Sequence, residues 1–246
     1  MSAESTVDRL VEWLREEVRT AGCRGLVFGL SGGIDSSVVA VLAKRAFRQD
    51  HLGVIMPIHS DPGDRGDALL LVEQFQLEYR DVDLSAVFDT MLGALGESPG
   101  RFGASDLPIT NIKPRLRMAT LYYFAARQRY LVAGTGNRSE LTVGYFTKYG
   151  DGGVDLLPLG HLVKHEVREV AEHLGVPRSI IEKPPSAGMW KGQTDESELG
   201  FSYEELDRYL VEGTGRDEVA ERVDQLRRTN AHKLRIPKMP PPAARD

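Results

Sequence analysis

The chain of 246 residues is almost without cysteine: Cys23 is the only one. An intramolecular disulfide is therefore excluded, and with it a disulfide-stapled fold and a cysteine-rich zinc ribbon. No apolar run approaches the ~20 residues a membrane-spanning helix needs. Positive charge is not in excess. Lys and Arg number 31 against 36 Asp and Glu, a net charge of −5, which argues against a nucleic-acid protein led by a basic surface. The start, Met1-Ser2-Ala3-Glu4, lacks the basic and apolar segments of a signal peptide, so a soluble cytoplasmic protein is expected. What is present is ordinary globular chemistry, 41% apolar and 27% charged, in a chain long enough to bury a sizeable core. No internal repeat or low-complexity block interrupts it, and a single domain over 1–246 is expected.

Helical and strand patterns alternate along the chain. Val7, Leu10, Val11, Leu14 and Val18 fall on one face of a helix over 6–20. Leu26–Leu30 reads as a buried parallel strand ending in glycine, followed by a helix over 36–47 and a second strand over 52–58. Helices are expected over 67–75, 85–95, 114–128 and 164–174, and short strands over 79–82 and 130–133. Residues 96–110, 144–155 and 183–200 read as loops, the last as a candidate lid. Ser202-Tyr203-Glu204-Glu205 is a capping-box pattern opening a further helix. The proline-rich end, 237–246, reads as a flexible tail. The pattern predicts an α/β fold, doubly wound and Rossmann-like, with a mainly parallel sheet and helices on both faces.

Ser31-Gly32-Gly33-Ile34-Asp35-Ser36-Ser37 lies between the first strand and its helix. Glycines allow close backbone approach to an anion, the helix N-terminus favours negative charge, and the serine hydroxyls can donate to phosphate oxygens. Asp35 would repel a phosphate unless a metal ion stood between them. The plainer reading is a tight strand-to-helix turn with a serine cap. Neither Gly-x4-Gly-Lys-Ser/Thr nor Gly-x-Gly-x-x-Gly is present. The segment resembles the pyrophosphatase loop of the ATP pyrophosphatase superfamily, whose fold is adenine nucleotide alpha hydrolase-like and whose members cut ATP at the α-phosphorus and adenylate an acceptor.

A narrower resemblance rests on four further stretches: Asn111-Ile112-Lys113-Pro114-Arg115-Leu116-Arg117-Met118; Gly134-Thr135-Gly136-Asn137-Arg138-Ser139-Glu140; Gly144-Tyr145-Phe146-Thr147-Lys148-Tyr149-Gly150-Asp151-Gly152-Gly153-Val154-Asp155; and Lys183–Trp190 with Gly192–Glu196. Together they resemble ammonia-dependent NAD synthetase, from about residue 7 to Pro237. The resemblance implies an ATP site of Gly29, Leu30, Ser31, Gly32, Gly33, Ile34, Asp35 and Ser36 with Thr135, Lys164 and Ser186. It implies a deamido-NAD site of Arg115, Lys148, Asp155, His232 and Lys233, and magnesium on Asp35 and Glu140. Lys164 read alone is a solvated helix residue, and Glu140 read alone is exposed beside a Ser139 N-cap. The Tyr145–Phe146 pair offers a ring face for a pyridine.

The implied reaction transfers AMP from ATP to the nicotinate carboxylate of deamido-NAD, and ammonia then displaces AMP to give NAD. Glutamine hydrolysis needs an activated cysteine; Cys23 precedes a strand and reads as a small packed hydrophobe. Free ammonia, or ammonia from a separate glutaminase subunit, is the expected donor. A homodimer is implied. The competing readings are another adenylating ligase, amidase or thiolase, on the same loop, and a non-catalytic ATP-binding protein.

Overall fold

The computed structural model describes residues 2–98, 100, 102, 106–190 and 192–240. Its sheet has four strands among those residues: β1 (Gly25–Gly29), β2 (His51–Ile55), β3 (Tyr79–Asp81) and β4 (Tyr130–Val132). All pair in parallel, in the order β3-β2-β1-β4. Side chains of β1 alternate between two cores, as a strand's period of two requires. Leu26 and Phe28 meet α1 (Ala3–Thr20), α2 (Ile34–Ala46), α3 (Pro62–Phe75) and α8 (Lys164–Leu174) on one face. Val27 meets α4 (Ser85–Ala94) and α6 (Ile112–Gln128) on the other. The doubly wound α/β fold is thus as the sequence predicts.

Local chemistry sets the element ends. Ser2 caps α1 by accepting from the Ser5 N–H, and Val7, Leu10, Val11, Leu14 and Val18 are its buried stripe. The Arg129 backbone takes the left-handed conformation that closes α6 and turns the chain into β4. A third core, of Val143, Leu199, Phe201, Tyr203, Leu206, Val219 and Val223, joins α7 (Arg138–Val143), α10 (Asp195–Leu199), α11 (Tyr203–Glu212) and α12 (Asp217–Asn230). Ser202 and Glu205 form the predicted capping box of α11.

The differences from expectation lie in α12, for which no element was expected, and otherwise in short pieces. The span expected as loop over 96–110 ends in α5 (Leu107–Thr110); residues 99, 101 and 103–105 of it lie outside the described residues. The expected loop over 183–200 contains α10, with residue 191 outside the description, and α9 (Arg178–Ile181) precedes it. Helices of four or five residues offer no full hydrophobic period to read. Of the expected tail, 237–240 are exposed without helix or strand and 241–246 lie outside the described residues. Among the described residues no helix is long and apolar enough to cross a membrane.

Candidate active site

The loop from Leu30 to Gly33 leaves the carboxyl end of β1, the edge where open α/β sheets bind ligands. Ser36 and Ser37 both donate through Oγ to the Gly33 carbonyl at 2.9 Å. Ser31 Oγ lies 3.0 Å from Ser36 Oγ and accepts the Gly33 N–H at 3.3 Å. Gly33 is the N-cap of α2 and gives no side-chain cap, so the N–H groups of Ile34, Asp35 and Ser36 stand in a first turn that no intrahelical carbonyl reaches. Gly32 has φ +80°, and a Cβ there would overlap the Asp64 carbonyl of α3, so only glycine fits.

Behind the loop stands a charged centre. Lys164, at the first position of α8, is 2% exposed, and its Nζ lies 2.5 Å from Asp35 Oδ2 and 3.4 Å from Glu140 Oε1. Asn137 binds both acids: its Nδ2 donates to Asp35 Oδ1 at 2.9 Å, and its N–H donates to Glu140 Oε2 at 3.1 Å. Asn137 is the N-cap of α7 and Glu140 its N3 residue, a reciprocal capping box. Glu140 is therefore a capping residue and an inward-facing carboxylate together, and the cap is Asn137 rather than Ser139. Burial raises the Glu140 pKa, opposed by the Lys164 charge. Burial also pulls against the Lys164 ammonium, but Asp35 and Glu140 more than offset it and hold Lys164 protonated.

The centre extends into the third core. Tyr203 lies with its ring 4.9 Å from Lys164 Nζ and its hydroxyl 3.1 Å from Asp195 Oδ2. The Tyr145 hydroxyl is 2.7 Å from Glu198 Oε2 and 3.1 Å from Asp195 Oδ1. Burial raises the Asp195 pKa and those of both tyrosines. Ser139 donates to Asp207 Oδ1 and accepts the Lys164 N–H, which fixes the start of α8 against α7 and α11.

Ser186 stands apart from the loop's hydrogen bonds, accepting the Gly188 N–H. Its segment is tied down by Lys183, whose Nζ reaches Asp64 at 2.8 Å and Asp67 at 2.6 Å. Thr135 is half-buried in the turn after β4.

Four of the five residues expected at the second substrate gather in one place. Arg115 donates to the Lys148 carbonyl at 3.5 Å, and Lys148 Nζ to the His232 carbonyl at 2.6 Å. Lys233 Nζ donates to the carbonyls of Gly144 and Phe146 and lies 5.5 Å from the Phe146 ring centre. Asp155 shares no hydrogen bond or ion pair with these four. It accepts the Val132 N–H at 2.8 Å and the Tyr122 hydroxyl at 3.0 Å, and burial beside it pushes the Tyr122 pKa up to about 12.

Sequence reasoning missed Asn137, Asp195 and Tyr203. Asn137 was readable, since Asn followed three residues later by Glu is a capping pattern. Asp195 and Tyr203 carry no local signal; only packing of α10 and α11 brings them to Lys164.

A parallel sheet with a glycine-serine loop at the end of its first strand, an acid in that loop and a second acid after the neighbouring strand define a nucleotide-binding α/β protein of the ATP pyrophosphatase type. Residues 6–237 match the family model described as NAD synthase, and the chain belongs to that family. An NH(3)-dependent NAD(+) synthetase of Carboxydothermus hydrogenoformans is 51% identical over 237 residues, 96% of this chain and 97% of that protein. One of Syntrophomonas wolfei is 47% identical over the whole of both chains. Among solved structures, NMN synthetase from Francisella tularensis superposes with a TM-score of 0.92 at 35% identity, covering 98% of this chain and 99% of that one. NH3-dependent NAD synthetase from Campylobacter jejuni gives 0.78 at 29% identity over 97% and 99%.

Proposed function

We propose that this chain makes NAD from deamido-NAD, ATP and ammonia through an adenylated carboxylate, releasing AMP and diphosphate. The observation that carries the reading is the Asp35–Lys164–Glu140 centre behind a loop of open N–H groups, with a separate basic group at Arg115, Lys148 and Lys233. The basic group suits one polyanion, and the two acids suit the other only with a divalent cation between them.

Hard carboxylate oxygens from two elements, already facing a common cation, are a donor set that suits magnesium. Asp35 and Glu140 would hold it, and bound there it would neutralise phosphate charge. The loop N–H groups bind the phosphate tail, and the Ser36 and Ser37 hydroxyls join them by turning from the Gly33 carbonyl to which they donate in the free protein. Lys164 shifts part of its charge from the acids to the phosphates, and Thr135 and Ser186 add hydroxyls from either side. Arg115, Lys148, His232 and Lys233 orient the acid substrate so that its carboxylate meets the α-phosphorus. Asp155 accepts from a ribose hydroxyl. No side-chain nucleophile is required.

A second copy of the chain is the further partner we infer. Val87 and Met91 of α4 and Leu95 at its C-cap form an apolar row, between 41% and 59% exposed, and light scattering would read a dimer. A second acceptor is favoured by the 0.92 superposition on an NMN synthetase, namely the nicotinate mononucleotide. The test is an acceptor panel with ammonium or glutamine as nitrogen source. NAD formed from deamido-NAD with ammonium supports the main reading. Amidation of the mononucleotide alone selects the second, and AMP formation with neither acceptor overturns both.

A further inference from the structure

Two cations of α6 have no place in the site described above. A helix that crosses between parallel strands runs back against them, so the first turns of α6 lie at the sheet's carboxyl edge. Its depth can be read from contacts. Leu121 stands 3.9 Å from where a Cβ on Gly29, the last residue of β1, would sit. Arg117 is one turn nearer the helix start, about 6 Å along the axis, level with the phosphate loop. Lys113 is one turn further on the same face.

Arg117 Nε donates to the Met56 carbonyl at 3.0 Å and Nη2 to Ser60 Oγ at 3.4 Å. A guanidinium has further N–H donors. Among the described residues Nη1 meets no acceptor, which leaves it unclaimed by them. Asp64 and Asp151 both act on the Arg117 charge without pairing with it. Asp64 is engaged by Lys183, and its carbonyl abuts Gly32 of the phosphate loop. Asp151 accepts the Thr147 N–H in the turn that carries Lys148. Arg117 therefore stands between the side that holds the phosphate loop and the side that holds the second basic group. Lys113 is 5% exposed, donates to the Met189 carbonyl at 2.9 Å, and lies 5.6 Å from the Phe88 ring centre. Among the described residues neither cation has a carboxylate within 4.0 Å.

Enclosed cations are ordinarily paired, because removal from water without a counter-charge is costly. Two such cations, one turn apart at the sheet's carboxyl edge and with donors that no described carboxylate claims, make a receptor for an anion. We propose that Lys113 and Arg117 together bind an anionic oxygen group of the reacting substrates, phosphoryl or carboxylate, at the point where the two substrates meet. The inference rests on the adenylation reading. In that step a carboxylate oxygen bonds to the α-phosphorus as the bond from phosphorus to the diphosphate oxygen breaks. The electron pair leaves with diphosphate, and no proton moves. Oxygen charge crowds around the phosphorus, and a planar guanidinium can engage two such oxygens at once.

The test uses the full chain carrying Arg117→Gln, Arg117→Lys or Lys113→Met, titrated calorimetrically with α,β-methylene-ATP alone and with deamido-NAD alone. Charge-assisted hydrogen bonds of this kind predict affinity about 10- to 100-fold weaker for at least one ligand. Arg117→Lys should retain more affinity than Arg117→Gln. Loss confined to the ATP analogue identifies a phosphoryl group, and loss confined to deamido-NAD identifies the acid substrate. Unchanged affinity for both ligands in folded Arg117→Gln and Lys113→Met overturns the proposal, even while the unmodified enzyme makes NAD. If Arg117→Gln does not fold, Lys113→Met decides by the same criteria. An unmodified protein that makes no NAD, with variants that still lose affinity for the ATP analogue, refutes the proposed function and leaves the anion site standing.

Discussion

Replacing Lys164 by methionine keeps the volume at the centre and removes the one cation that the described residues place there. The Lys164 side chain is 2% exposed, and those of Asp35 and Glu140 are 16% exposed. Breaking a buried ion pair by deleting one member costs about 3–5 kcal/mol, because the remaining charge is left uncompensated. The slight exposure of the acids puts the expectation near the lower end, about 3 kcal/mol. For a chain of this size that lowers the melting temperature by roughly 6–12 °C. The assay is urea unfolding in chelator, with Lys164→Met, Asp35→Asn and the double variant compared. Because Lys164 and Asp35 touch, the double variant should lose less than the sum of the singles, by about 1 kcal/mol or more. A Lys164→Met protein within about 0.5 kcal/mol of the unmodified one, or strict additivity in the cycle, would refute the reasoning.

Gly32→Ala forces a left-handed backbone on alanine, about 1–2 kcal/mol, and drives a methyl into the Asp64 carbonyl, so stability and ATP-analogue affinity should both fall in unfolding and titration experiments. Asn137→Ala removes a cap and the bond to Asp35, so a loss of about 1–2 kcal/mol in urea is expected, with slower NAD formation. His51 is 1% exposed, donates from Nδ1 to the Phe47 carbonyl and accepts the Glu78 N–H at Nε2. Burial lowers its pKa from 6.5, so the unfolded chain binds the proton first and stability present above that pH is lost on acidification through it. His51→Gln should flatten that fall in urea midpoints measured from about pH 7 to 5; an unchanged slope would contradict it.

The layered fold was legible because its cues are local. β1 is an apolar run closed by glycine, and α1 carries a clean stripe from Val7 to Val18. The phosphate loop was legible because glycine, serine and acid stand in a fixed order after that strand. Lys164 was legible only through the family resemblance, since a lysine opening an amphipathic helix reads alone as solvated; its burial comes from Tyr203 and Asp35 closing over it from α11 and α2. Asp195 sits in a five-residue helix inside a stretch without periodicity, so neither its helix nor its tie to Tyr203 had a signal. Asp155 was expected only at the second substrate, while in the fold it also holds the Val132 N–H at the end of β4.

The central claim is that the acceptor carboxylate itself attacks the α-phosphorus of ATP, and isotope transfer tests it most directly. Deamido-NAD labelled with oxygen-18 in its nicotinate carboxylate is turned over with ATP and ammonium, and the products are examined by phosphorus NMR and mass spectrometry. The account predicts one labelled oxygen in AMP and none in diphosphate. Label remaining out of AMP, or ADP and orthophosphate formed in place of AMP and diphosphate, would contradict it.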